Sequence, residues 1–84
     1  MKFAFLIMGE FDPAQNRSAL HGADEVQVIG VSSLEDACQA ARELKDGGVE
    51  CIELCGAFEE AGARQVIQAT GGTIPVGYVV HLPE

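Results

Sequence analysis

The distribution of apolar and polar residues along the chain predicts strands that alternate with helices. Residues 2–8 form a continuous apolar run that ends at Gly9, which is typical of a strand buried on both faces. Residues 25–31 are rich in β-branched side chains and lie between turn residues, so they predict a second strand. Residues 49–55 and 74–80 have the same character and predict two more strands.

Two helices are predicted between the later strands. Ser32 and Ser33 are each followed three residues later by an acidic residue, a capping-box pattern that begins a helix, and Gly47 ends its apolar periodicity. The second helix begins near Glu59, whose charge suits a helix N-terminus, and ends before Gly71.

Residues 9–25 are compatible with two structures. An Asp-Pro pair at 12–13 could begin a short helix that ends at Gly22. Alternatively, residues 17–21 form a strand that turns directly into the next one. We expect the first strand to be parallel to its neighbours if this short element is a helix.

The predicted architecture is a single α/β domain over residues 1–84, with the order β–short element–β–α–β–α–β. Its sheet is small, mostly parallel and four-stranded, and both long helices cross on one face. The other face is also apolar and lacks a cover. A homo-oligomer, most simply a dimer, would supply that cover, and we expect Tyr78, Val79 or Val80 in the interface.

Composition narrows the possible functions. The 84 residues carry 5 Lys and Arg against 13 Asp and Glu, a net charge of −8, and 48 % of them are apolar. The apolar content argues against disorder, and so few cations argue against a nucleic-acid partner. The first apolar run is too short to span a membrane. Three cysteines and no signal peptide favour reduced thiols in the cytoplasm.

Chemistry in an open α/β sheet is expected at the carboxyl ends of the strands. Glu53, Cys55 and His81 are the candidate catalytic residues, because a carboxylate, a thiol and an imidazole on one rim can act as base, nucleophile and proton carrier. Glu53 interrupts an apolar strand, so it is either functional or placed on an uncovered face. Weaker candidates for binding an unidentified small molecule share the same rim: Glu10, Ser32, Gly56 and Tyr78.

The spacing of histidines and cysteines matches no zinc signature, and the sequence indicates no particular cofactor. Three functions therefore remain open: a homo-oligomeric binding or assembly module, which we favour, a small enzyme that uses Glu53, Cys55 and His81, and a metal-binding protein.

Three stretches together carry a family resemblance: MKFAF with MG and FDP in residues 1–13, IELCGAF at 52–58 and PVGYVVHLPE at 75–84. With them the chain resembles a family of small bacterial proteins catalogued only as a domain of unknown function. The resemblance implies a bacterial, cytosolic, single-domain protein, and it implies no catalytic residues.

Overall fold

The computed structural model of the protein describes residues 1–83. Five strands and two helices follow one another along the chain, with a short 3₁₀ turn at Gly56–Phe58 before the second helix. They are β1 (Lys2–Met8), β2 (Arg17–His21), β3 (Glu25–Val31), α1 (Leu34–Asp46), β4 (Cys51–Leu54), α2 (Glu59–Ala69) and β5 (Val76–Tyr78).

The strands form one mixed sheet in the order β2-β3-β1-β4-β5. β1 lies at the centre and pairs in parallel with β3 and β4, and β5 is parallel to β4. β2 is the only antiparallel strand described, and it pairs with the outer edge of β3. The prediction of four strands is therefore wrong: the sheet has a fifth strand, at Arg17–His21.

The short element is a strand and not a helix, and β1 is nevertheless parallel to β3, an orientation that we had tied only to the helical alternative. The chain leaves β1, passes the end of β3 and runs back along the far edge of β3 as β2. It then turns at residues 22–24 and enters β3 in the direction of β1. The chain reverses direction twice, once between β1 and β2 and once between β2 and β3. β3 therefore runs parallel to β1, as it would after a crossover helix.

Local sequence determines where α1 begins and ends. The Ser33 hydroxyl accepts a hydrogen bond from the Asp36 N–H at 3.0 Å, which confirms the predicted cap. Gly48 follows the helix with φ of +93°, a left-handed conformation that favours glycine. The backbone is strained where α2 begins, because Glu59 has φ of 56° and ψ of −178°, a region that glycine alone adopts easily.

Both helices pack on one face of the sheet and enclose the core. The fully buried side chains of the strands alternate with half-buried ones, as one covered face requires. The core consists of Ala4, Leu6, Ile29, Val31, Ile52 and Leu54 from the sheet, Ala37, Ala40, Ala41, Leu44, Ala63 and Val66 from the helices, and Val49 and Phe58. The last two strands are shorter than predicted, Cys51–Leu54 and Val76–Tyr78.

Candidate functional site

Neither helix covers the face of the sheet opposite to the one on which both helices pack. We call this uncovered side the open face. Strand alternation and register give it a mostly apolar surface. The residues that face this side are Ser18 and Leu20 of β2, Val26, Val28 and Gly30 of β3, Phe3, Phe5 and Ile7 of β1, Cys51 and Glu53 of β4, and Gly77 of β5.

Phe11 covers one corner of the open face. A Cβ atom built on Gly30 would lie 2.5 Å from Phe11 Cγ, and one built on Gly9 would lie 2.7 Å from Phe11 Cε2. The ring therefore rests directly on two glycines, and it leaves Gly30 buried although the sheet has no helix on this side. Phe11 itself is still 40 % exposed, so it is a partial cover.

Glu53 lies on the open face one strand in from the β5 edge, between Phe5 on β1 and Gly77 on β5. The Cys51 thiol donates a hydrogen bond to Glu53 Oε1 at 3.4 Å. Burial, and after it the hydrogen bond and negative charge of Glu53, raise the pKa of the Cys51 thiol above its ordinary value. Cys51 is therefore a poor nucleophile near neutral pH.

The carboxyl ends of β1 and β4 form the point where the strand order reverses, the usual ligand crevice of an open sheet. There the Met8 N–H donates to Cys55 Sγ at 3.2 Å. His81 is exposed and lines a shallow cavity with Gly56, Ala57 and Val79. Within residues 1–83, no hydrogen bond joins any two of Glu53, Cys55 and His81. Their joint catalytic role stays a prediction.

The weaker candidates lie at different places. Ser32 donates to Asp36 Oδ2 at 3.1 Å, beside the N-terminus of α1. Gly56 begins the 3₁₀ turn, and Glu10 is exposed beyond β1. Tyr78 pairs with Leu54 and packs against the helix-side core, so it does not lie on the open face.

The described residues contain no group of three or more His, Cys, Asp or Glu side chains that could hold a metal ion. The metal-binding alternative thus gains no support. No helix among residues 1–83 is both long and apolar enough to cross a membrane.

Sequence reasoning missed Phe11 and Leu20 as parts of this surface. One signal for Phe11 is present in the sequence: Gly30 lies inside a β-rich segment, and a glycine within a strand often marks a close approach by another group. No comparable signal exists for Leu20, because its face depends on the register of a strand that had a helical alternative.

The family comparison agrees with the resemblance found in the sequence. Residues 1–84 match the Family of unknown function (DUF6506) over their whole length. The chain belongs to that family. The comparisons with curated proteins and with solved structures gave no match. Membership of DUF6506 therefore assigns no activity, and the open face is the feature of this protein on which a function can be based.

Proposed function

We propose that this DUF6506 protein is a homodimeric assembly module of the bacterial cytoplasm, and that a second copy covers the open face. The observation that supports this most directly is the apolar row of Phe3, Phe5 and Ile7 on the central strand, which no helix covers. These side chains are half-buried in the single copy, and the apolar surface continues at the exposed Leu20 and Val79. Contiguous accessible apolar patches mark interaction surfaces in soluble proteins. The three cysteines are free, which suits a reducing compartment.

The size of the open face fits a dimer. Five strands about 4.8 Å apart and roughly 18 Å long give a footprint of about 430 Å². Side-chain relief raises the accessible area above this value, so two copies bury on the order of 1,000 Å², the minimum for a specific interface. Val79, which follows β5 and is 46 % exposed, extends the apolar surface beyond Gly77.

The distribution of charge favours face-to-face over edge-to-edge association. The net charge of −8 makes two copies repel each other at long range. Yet Glu53 is the only acidic or basic side chain that the strands place on the open face. The edge strand β2, in contrast, is fully exposed and has Arg17 and His21 at its two ends, a pattern that disfavours pairing of edges.

Sedimentation velocity of three proteins tests the proposal. We expect the wild-type protein to form a dimer at tens to hundreds of micromolar, and Phe5→Arg to remain a monomer. Ile67→Arg is the matched control, because Ile67 is an exposed apolar residue of α2 on the helix side. A wild-type monomer at every concentration refutes the proposal, as does a Phe5→Arg dimer as tight as that of the control.

A further inference from the structure

Glu53 has an environment that suits a carboxylate in a monomer and not in a dimer. Its neighbours across the strands are Phe5 and Gly77, and a Cβ atom on Gly77 would lie 3.1 Å from Glu53 Oε2. The glycine therefore leaves room for the carboxylate to lie along the sheet. None of the ion pairs found within residues 1–83 includes Glu53, which accepts a hydrogen bond from the Cys51 thiol.

The groups that face Glu53 from neighbouring strands are almost all neutral. β1 contributes Phe3, Phe5 and Ile7, and β5 contributes Gly77, none of which titrates. On its own strand the titratable neighbour is the Cys51 thiol, which donates to Glu53, and the Cys55 thiol follows two residues after Glu53, where its Sγ accepts from the Met8 N–H. Because burial and Glu53 itself raise the pKa of the Cys51 thiol, Cys51 remains uncharged from pH 5.5 to pH 8.

We propose that association through the open face is coupled to proton uptake by Glu53, so that the assembled protein holds Glu53 as a neutral carboxylic acid. This inference rests on the proposed dimer. A second copy that covers the open face removes water from the carboxylate and, by the same strand pattern, brings no strand cation to replace it. An unpaired charge in such a place is costly, and a carboxylate takes up a proton instead.

The coupling has a definite sign and size. Each of the two Glu53 side chains takes one proton from solvent on assembly, so the dimer binds two more protons than the separate copies. The dimer dissociation constant therefore falls as the pH falls. One linked proton changes it about tenfold per pH unit, and two linked protons change it about a hundredfold, over the range in which the free carboxylate is ionised and the assembled one is not.

Sedimentation equilibrium at pH 5.5, 6.5, 7.25 and 8 measures this coupling directly. We expect the wild-type dissociation constant to rise at least 30-fold from the lowest to the highest pH. Glu53→Gln, which is neutral at every pH and similar in shape, should dimerise at pH 8 as tightly as the wild-type protein does at pH 5.5. Glu35→Gln, an exposed change on α1, is the matched control and should follow the wild-type protein.

His21 and His81 are present in all three proteins, so the difference between Glu53→Gln and the wild-type protein isolates Glu53. Far-UV circular dichroism establishes that each variant is folded. A wild-type dimer with a pH-independent dissociation constant overturns the proton coupling and leaves the dimer intact. A Glu53→Gln dimer weaker than the wild-type dimer at pH 8 also overturns it, since the carboxylate then has a cationic partner. A monomer at every pH overturns the proposed function itself.

Discussion

The contact between Phe11 and Gly30 can be tested with Gly30→Ala. Its effect on the free energy of unfolding should have opposite signs when residue 11 is phenylalanine and when it is alanine. In Gly30→Ala the new Cβ would lie 2.5–2.7 Å from three atoms of Phe11, so the ring has to leave its position. Full burial of a phenylalanine stabilises a protein by roughly 1.5–3 kcal/mol, and Phe11 is 40 % exposed. Loss of its packing should therefore cost about 1–2 kcal/mol. Replacement of glycine by alanine returns about 0.4–1 kcal/mol, because it restricts the unfolded chain.

We therefore expect Gly30→Ala to lower the free energy of unfolding by about 1 kcal/mol in the wild-type protein. In a Phe11→Ala background, where the space above Gly30 is empty, the same change should raise it by about 0.4–1 kcal/mol. Urea unfolding followed by circular dichroism at 222 nm measures both, at a fixed low-micromolar concentration that keeps dimerisation from contributing. If Gly30→Ala is equally destabilising in both backgrounds, Phe11 does not rest on Gly30.

Three further predictions concern other parts of the molecule. Glu59→Gly should raise the free energy of unfolding by about 1 kcal/mol, because it relieves the strain at φ of 56°, whereas Glu60→Gly one residue later should lower it; the same urea experiment decides. Glu53→Gln should lower the pKa of the Cys51 thiol, so iodoacetamide should label Cys51 faster at pH 8 while labelling of Cys38 is unchanged, as peptide mass spectrometry will show at protein concentrations low enough to keep both proteins monomeric. Finally, an increase in NaCl from about 20 to 500 mM should lower the dimer dissociation constant, because salt screens the repulsion between two chains of charge −8. A higher dissociation constant at high salt would contradict an interface formed by the open face.

Local signals in the sequence were sufficient for the helices and for the parallel strands. The Ser33 cap, the glycines that follow each helix and the apolar run of β1 each depend on a few neighbouring residues. The lack of a cover on one face also followed from the sequence, since both predicted helices were placed on one face and the other face was predicted to be apolar.

Features that depend on contacts between residues far apart in the sequence could not be predicted from local patterns. Arg17–His21 became a strand because the exposed edge of β3 offered hydrogen-bond partners, which a single segment does not reveal. Likewise, Cys55 faces the Met8 amide and His81 faces Gly56 because of how the chain passes the carboxyl ends of β1 and β4. The register shows that Glu53 lies on an uncovered face, as one of the two interpretations stated, while its catalytic role stays a prediction.

The central place of β1 has a consequence for how the chain folds. Both of its neighbours come later in the sequence, and its partner Cys51 lies 48 residues beyond Phe3, so its pairing with β4 waits until α1 has crossed the sheet. The β2–β3 hairpin is the one part of the sheet built from adjacent segments, and it can form early. We expect a folding rate limited by the arrival of β4. Mutations of Ile52 or Leu54 should therefore slow folding, and so should mutations in β2, because the hairpin is already formed in the transition state.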